Sequence, residues 1–407
     1  MSVFVTDGEQ RATLALVRAL GREGIPVTVG SKFADSLAGS SRYCAKRVRY
    51  PPPLEHDEAF RTFLLDEMKR GGYKVLFPMT DITTILAAEM HHTLEPFVRV
   101  PIATSEQIAR VQDKRTMLLA ACKVGIAAPA TYMLSDDEDI DAVAERIQYP
   151  VVLKPRLSWL RRNEAWISGG VQFIHNAAEL KEKYRRAHAL IPHPLVQERL
   201  EGEGRGVFLL IWNGELKAAF CHRRLREKPP WGGVSVYRES LPFDRAIVEK
   251  SYRLLQECGW QGPAMVEFKV DNRDGELKLM EVNGRFWGSL QLALDAGMNF
   301  PLLYYRLAIG ENVPAQFDYK AGVRSRWLLG DLDQLLIRWT HPTGENGMAG
   351  PQPSRLRASL DFMKFYEPNL HYEILRFEDP APGWFECKAY VRALAHLPKP
   401  KEKSRAH

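Results

Sequence analysis

Cysteine is scarce and irregularly placed in this sequence. The five cysteines never form a Cys-x-x-Cys pair, and they are Cys44, Cys122, Cys221, Cys258 and Cys387. A disulfide framework or a zinc site would require clustered cysteines at short, regular spacings. Their absence argues against both, and it favours free thiols that are mostly buried.

Long apolar runs are also absent. No stretch approaches the roughly 20 apolar residues that cross a bilayer. The first residues lack a basic segment followed by an apolar one, and Val3–Val5 is typical of a β-strand. We therefore predict a cytoplasmic protein with no membrane partner.

Charge of one sign does not dominate the chain. Lysine and arginine number 56 against 50 aspartate and glutamate residues, which gives a net charge of +6. Half of that excess lies after Pro398, in a segment that the pattern predicts to be a disordered basic tail. A nucleic-acid partner is not predicted, because the sequence has no stripe of alternating basic and aromatic residues.

The first 104 residues alternate between apolar strand patterns and helical patterns. This alternation predicts a parallel sheet with helices on its faces, a Rossmann-like domain. The first turn, Asp7-Gly8-Glu9-Gln10, lacks the glycine-rich fingerprint of a nicotinamide site. The predicted elements are strands at Val3–Val5, Pro26–Gly30 and Lys74–Pro78 and helices at Glu9–Gly24, Phe60–Lys69 and Ile82–Met90.

The remaining chain is predicted to be α/β, with an α+β catalytic part. Residues 105–195 combine helices with short strands, and residues 196–313 contain long strands joined at Asn213-Gly214 and Asp274-Gly275 turns. Beyond residue 314 the pattern is less regular, with helices on both sides of a loop at His341–Ser354. The predicted divisions are 1–104, 105–195, 196–313 and 314–407.

A predicted hairpin brings oxygen ligands together. Side chains alternate along a strand, so Glu281 and Asn283 share one face of the segment that follows the Asp274-Gly275 turn. The hairpin can bring Glu267 close to Glu281, and two carboxylates beside an amide oxygen suit Mg²⁺, with Mn²⁺ as a substitute. The alternative is a solvent-facing strand with ordinary acidic residues.

Glu267 together with Glu281-x-Asn283-x-Arg285 resembles the metal-binding signature of the ATP-grasp superfamily, which includes the ATP-binding halves of carbamoyl-phosphate synthetase. The resemblance extends over residues 105–310. It implies a Rossmann-like pre-ATP-grasp domain, a two-lobed ATP-grasp fold and a C-terminal extension. It also implies ATP and Mg²⁺ as cofactors.

Further elements of the superfamily occur in the expected order. The resemblance implies that Lys114 and Lys154 bind the ATP phosphates and that a glycine loop covers them, where backbone N–H groups can approach anionic oxygens. It implies that a hinge segment contacts adenine and that Glu203 contacts the ribose. The implied loop and hinge residues are Ser168, Gly169, Gly170, Gln197, Glu198 and Leu200.

The implied chemistry is attack of a carboxylate on the γ-phosphate, which gives an acyl phosphate for ligation to an amine. Lys154 and Arg285 are the predicted catalytic residues, because neutralising negative charge dominates such a transfer. A kinase on the same fold and a non-catalytic ATP-binding module are the alternatives. A homodimer is a further expectation.

Three segments carry candidate substrate residues. The basic loop around Pro229-Pro230 supplies His222, Arg223 and Arg226 as an anion clamp, unless it is only a solvated loop. Thr80 and Asp81 follow a predicted parallel strand, where open α/β sheets bind ligands, although Asp81 could instead cap the next helix. Gly288 and Ser289 follow the predicted strand that carries Glu281 and Asn283, and they are predicted to line an acceptor pocket.

Overall fold

A four-stranded parallel sheet forms the N-terminal part of the protein, as predicted. The computed structural model describes residues 2–135, 140–162, 165–341 and 353–395. The sheet has the order β3-β2-β1-β4. Its elements are β1 (Ser2–Val5), α1 (Arg11–Arg22), β2 (Val27–Ser31), a 3-10 turn (Ala38–Ser40), β3 (Cys44–Arg49), α2 (Asp57–Gly71), β4 (Tyr73–Phe77), α3 (Asp81–Glu89), α4 (His91–Leu94) and α5 (Ser105–Gln112).

A small antiparallel sheet follows, in the order β5-β10-β6-β9. A separate hairpin, β7–β8, was not predicted. The predicted helix at 136–146 is described only from Ile140 onward. The elements are α6 (Lys114–Lys123), β5 (Thr131–Tyr132), α7 (Ile140–Ala144), β6 (Val151–Lys154), β7 (Leu160–Arg162), β8 (Ala165–Ile167), β9 (Gln172–Ile174), α8 (Ala177–Leu190) and β10 (Leu195–Glu198).

The largest sheet has seven strands in the order β15-β14-β11-β12-β13-β16-β17. The predicted Asn213-Gly214 turn joins β11 to β12, and both residues adopt positive φ angles (50° and 78°), as a tight hairpin turn requires. The elements of this part are β11 (Gly204–Trp212), β12 (Glu215–Lys228), β13 (Val234–Ser240), α9 (Arg245–Glu257), β14 (Gly262–Val270), β15 (Leu277–Asn283), α10 (Leu290–Asp295) and α11 (Phe300–Ala308).

The C-terminal segment completes this sheet. Strand β16 pairs with β13, and β17 pairs parallel to β16. Two of the seven strands therefore come from the segment after residue 314, whose strands were not predicted. Its elements are β16 (Arg324–Arg326), α12 (Leu328–Thr340), α13 (Arg355–Phe362), β17 (Leu370–Tyr372) and α14 (Ala381–Ala395). The predicted basic tail and most of the predicted 341–354 loop lie outside the described residues.

The large sheet is buried on both faces. Along β11, Phe208 and Leu210 belong to a core shared with α1 and the parallel sheet, whereas Val207 and Leu209 pack into a second core with α5, α6 and α9. The face that carries Phe208 is therefore the face toward the N-terminal sheet. Among the described residues, no helix is long and apolar enough to cross a membrane.

Candidate active site

A large cleft, of about 1320 Å³, lies between the three main sheets. The parallel sheet contributes the turns after β1 and β4, the small sheet contributes β6, β9 and β10, and the large sheet contributes β12, β14 and β15. Ionisable side chains of the sheets and of the helices and loops beside them line it, among them Glu9, Arg11, Asp81, Lys114, Lys154, Arg224, Glu267, Glu281 and Arg285.

The predicted oxygen ligands lie together on the cleft face of strands β14 and β15. Glu267 is the cross-strand partner of Glu281, and Asn283 pairs with Met265 one pleat further along. The Nδ2 of Asn283 donates a hydrogen bond to Oε1 of Glu281 at 3.1 Å. Because Val266 on the opposite face is buried in the core, the strand has little freedom to turn these carboxylates away.

The electrostatics of this pair favour a cation. Burial raises the pKa of Glu267, and so does the nearby charge of Glu281, while Arg224 opposes both effects. Two carboxylates and an amide oxygen form a donor set of hard oxygens, the ligands that Mg²⁺ prefers. The residues therefore fit the predicted magnesium site.

Lys154 stands at the end of β6 and faces this pair across the cleft. Its Nζ donates to Oε1 of Gln197 at 2.7 Å. Burial lowers the pKa of Lys154 to about 8, although the charges of Glu281 and Glu267 act in the opposite direction. Glu281, Glu267 and Lys154 are therefore close enough to interact electrostatically.

Lys114 is the first residue of α6 and also lines the cleft. The carboxylate of Asp113 caps the helix through the N–H of Arg115 at 3.0 Å, and it binds Arg156 through two hydrogen bonds of 2.9 and 2.6 Å. These contacts hold Lys114 next to the loop after β6, where its Nζ donates to Ser158 Oγ at 3.1 Å.

The predicted hinge residues line the cleft, but two of their side chains have structural partners. Gln197 bridges Lys154 and Thr131, with Nε2 2.9 Å from Thr131 Oγ1. Glu198 accepts hydrogen bonds from the Ala130 N–H and from Arg273, each at 2.9 Å. The adenine contacts of the hinge, through its backbone and through Glu198, stay predictions.

Leu200 and Glu203 also line the cleft, at the segment that leads from β10 into β11. Glu203 Oε1 accepts a hydrogen bond from Arg205 Nε at 2.9 Å. Its second carboxylate oxygen lies 3.4 Å from Arg223 Nη1. The ribose contact by Glu203 therefore stays a prediction.

The predicted glycine loop joins β8 to β9 but does not itself line the cleft. Ser168, Gly169 and Gly170 are absent from the lining residues, whereas Val171 directly after them is present. A Cβ atom added at Gly169 would lie 3.0 Å from Pro155 Cβ, so the loop packs close to the end of β6. At Gly170 an added Cβ would meet no described atom within 4 Å.

Arg285 follows β15 and connects it to the parallel sheet through Asp81. Its Nε donates to Asp81 Oδ1 at 2.9 Å, and its Nη2 lies 3.2 Å from Oδ2. Nη2 also lies 3.4 Å from Asn283 Oδ1. Thr80, not Asp81, is the N-cap of α3, and its hydroxyl accepts from the Thr83 N–H. Asp81 is therefore the ion-pair partner of Arg285, and both line the cleft.

The basic segment divides between the two faces of β12. His222 and Arg224 line the cleft, whereas Arg223 and Arg226 are outside its lining. Arg223 instead binds Glu239 at 2.6 Å, and Arg226 binds Asp331 at 2.6 Å. Most of the predicted basic loop is strand, and only residues 229–233 connect β12 to β13.

His222 is buried with a relative exposure of 1%. Burial lowers its pKa well below the ordinary value, and the charges of Arg224 and Arg238 add to this effect. Neither ring nitrogen finds a hydrogen-bond partner in the described part of the chain. The imidazole is therefore neutral, with one donor and one acceptor free beside the cleft.

Gly288 and Ser289 line the cleft beyond Arg285, and their place in an acceptor pocket stays a prediction. A Cβ at Gly288 would lie 3.2 Å from Arg11 Nη2, so glycine leaves room for that guanidinium. Arg11 was not predicted. It binds Glu373 at 2.5 Å and stacks on the Trp327 ring at 4.0 Å, and both partners belong to the C-terminal segment.

Comparisons with known proteins find similar sequences and similar folds. A sequence model described as "ATP-grasp in the biosynthetic pathway with Ter operon" matches residues 191–330. The chain is 24% identical to the α subunit of mitochondrial methylcrotonoyl-CoA carboxylase of Oryza sativa subsp. japonica, covering 74% of this chain and 42% of that one. It is also 24% identical to the N-terminal section of the carbamoyl phosphate synthase large chain of Methanopyrus kandleri, covering 72% and 52%.

Solved structures share the fold. The L-amino acid ligase from Bacillus licheniformis superimposes with a TM-score of 0.59 at 17% identity, over 77% of this chain and 75% of that one. A biotin carboxylase–ATP-analogue complex from Campylobacter jejuni gives 0.63 at 14%, over 79% and 74%. The chain has the fold of the ATP-grasp superfamily, and the family match over residues 191–330 agrees with this fold. It spans about half the length of the curated relatives described above.

Proposed function

We propose that this protein is an ADP-forming ligase that uses Mg-ATP to activate a carboxylate as an acyl phosphate and joins it to an amine. The observation that supports this most directly is the composition of the cleft. Glu267, Glu281 and Asn283 line the same cavity as Lys154 and Arg285. Oxygen ligands beside fixed cations are what phosphoryl transfer to a carboxylate requires.

Each group has a role in this proposal. Magnesium, held by Glu267, Glu281 and Asn283, would supply charge neutralisation at the ATP phosphates. Lys114 and Lys154 would bind phosphate oxygens from the opposite side of the cleft. Arg285, oriented by Asp81, would hold the acyl phosphate as negative charge develops on it.

The proposal that the acceptor is an amine is based on similar proteins. One structural neighbour is named an L-amino acid ligase, and the superfamily resemblance points to carboxylate–amine ligation. We also propose small-molecule substrates and a cytoplasmic location. We propose a homodimer because a structural neighbour is described as a domain dimer.

The test is incubation of the protein with Mg-ATP, pooled carboxylic acids and pooled amino acids. We expect ADP, phosphate and a new amide by mass spectrometry. AMP in place of ADP would overturn the acyl-phosphate mechanism. ADP with a phosphorylated product but no amide would indicate a kinase, and no nucleotide turnover would indicate a binding module.

The metal ligands can be tested on one hairpin. We expect Glu281→Ala to abolish ADP formation and to retain the fold by circular dichroism, because its carboxylate faces the cleft. Glu276→Ala is the matched control, since Glu276 is exposed on the same hairpin and does not line the cleft. Full activity in Glu281→Ala would remove the metal assignment.

A further inference from the structure

Two glycines of β11, Gly204 and Gly206, have no side chains to cover the large sheet beside the candidate metal ligands. Gly206 on β11 stands between Glu267 on β14 and His222 on β12, its partners in the two neighbouring strands. An added Cβ at Gly206 would lie 2.9 Å from His222 Nε2, and one at Gly204 would lie 2.9 Å from Arg224 Cδ. Side chains of β12 therefore lie over β11 in space that any larger residue would fill.

The Arg224 side chain extends through this space to Glu267 on β14. Its guanidinium forms an ion pair with Glu267 through Nη2, and its Nη1 binds Glu227 Oε1 at 2.8 Å. The side chain is 9% exposed. Its Nε has no hydrogen-bond partner among the described residues. The guanidinium is therefore buried, and one of its three nitrogens has no partner in the described part of the chain.

The ion pair conflicts with metal binding. A carboxylate oxygen that neutralises a buried guanidinium has less charge to offer a divalent cation, and the two cations repel each other across a short distance. When Glu267 turns to a metal, Arg224 loses one of its two carboxylate partners. Glu227 holds the other side of the guanidinium, so the group stays in the cleft with free donors.

We propose that Arg224 exchanges partners during the reaction, and this proposal rests on the proposed function. Without metal the guanidinium neutralises Glu267. With metal bound it is released to bind a small oxyanion, either the carboxylate of the substrate or a phosphate group. Guanidinium groups bind such oxyanions through paired hydrogen bonds. Metal and oxyanion then favour each other's binding. The metal releases Arg224 from Glu267 for the oxyanion, and the oxyanion keeps Arg224 from returning to Glu267.

The experiment measures Mn²⁺ binding by electron paramagnetic resonance of the free ion, without nucleotide. Arg224→Met removes the competing cation, so we expect Mn²⁺ affinity to rise about tenfold, the factor for 1.4 kcal/mol. Arg324→Met is the matched control. Arg324 also joins two carboxylates, Glu239 and Glu367, but belongs to the row of residues on the opposite face of the same sheet.

A second arm tests the coupling with inorganic phosphate and with acetate as probes. We expect one or both anions to raise Mn²⁺ affinity several-fold in the wild-type protein and in Arg324→Met. In Arg224→Met this increase should be lost, whereas direct contact between the anion and Mn²⁺ would leave it unchanged. An effect of acetate alone identifies a carboxylate site, and an effect of phosphate alone identifies a phosphate site.

The outcomes separate this proposal from the proposed function. Unchanged or weaker Mn²⁺ binding in Arg224→Met, with normal binding in the wild type, overturns the exchange and leaves the ligase proposal intact. An anion effect that persists in Arg224→Met also overturns it. Absence of Mn²⁺ binding in the wild type would overturn the metal site and the exchange together.

Discussion

At the scale of single residues, Lys154 has the most informative environment. The pKa of its ammonium is lowered to about 8, because burial disfavours the charged form more than Glu281 and Glu267 favour it. The folded value lies below the usual range for lysine. The positive charge is therefore present at neutral pH and is lost as pH rises through about 8.

This shift predicts a pH-dependent affinity for nucleotide. If the charged lysine binds the phosphates, ADP affinity measured in EDTA by calorimetry should fall about tenfold between pH 7 and pH 9, in proportion to the charged fraction. Lys154→Arg keeps its charge over this range and should show a nearly flat profile. The same fall in both proteins would show that another group titrates.

The cleft residues of β12 show what residue-level reasoning could and could not predict. Alternation along a strand places His222 and Arg224 on one face and Arg223 on the other. The prolines and glycines at 229–233 indicate a loop, which has no alternating faces, so Arg224 is not among the predicted site residues. Arg226 could not be placed in this way, since the register shifts on both sides of it.

At the scale of elements, the hairpin of β14 and β15 followed from its sequence. Its turn and its alternating apolar residues predicted that Glu267 would oppose Glu281, and the register confirms this pairing. The irregularity beside Glu267 was not predicted, because a bulge depends on the partner strand as much as on local sequence. The predicted glycine loop is present as a turn, but its place outside the cleft lining depends on tertiary packing.

Glycine has different roles in two of these elements. At Gly206 an added Cβ would lie 2.6 Å from Phe208 Cζ and 2.9 Å from His222, so Gly206→Ala must displace buried rings. We expect a loss of about 1–3 kcal/mol in the free energy of unfolding, measured with urea. Gly170→Ala, where the space is open, should change it by less than about 0.5 kcal/mol. Equal effects would mean that the sheet accommodates the methyl group.

At the scale of the whole molecule, the C-terminal segment joins the N-terminal sheet to the large sheet. Glu373 binds Arg11 of α1 and Arg238 of β13. The sequence did not reveal this role, because β16 and β17 are only three residues long and pair over a long separation. The divisions at residues 104, 195 and 313 stay predictions, and the last one separates strands that share a sheet.

A buried ion pair tests this connection. Arg18 of α1 binds Asp379 at 2.8 Å, with exposures of 1% and 0%. Asp379 also accepts hydrogen bonds from Ser41 Oγ at 2.7 Å and from the Arg42 N–H at 2.9 Å. Removing one partner of a buried pair leaves the other charge without compensation in a low-dielectric site, which costs about 3–5 kcal/mol.

We therefore expect Asp379→Ala to lower the free energy of unfolding by about that amount in urea denaturation monitored by circular dichroism. Glu378→Ala is the control, because its ion pair with Arg22 is exposed (44% and 39%) and should contribute less than about 1 kcal/mol. If both variants unfold at the same urea concentration, the C-terminal segment does not hold the N-terminal sheet in place. If only Asp379→Ala unfolds early and ADP formation falls with it, the contact at α1 also maintains the cleft wall that carries Arg11.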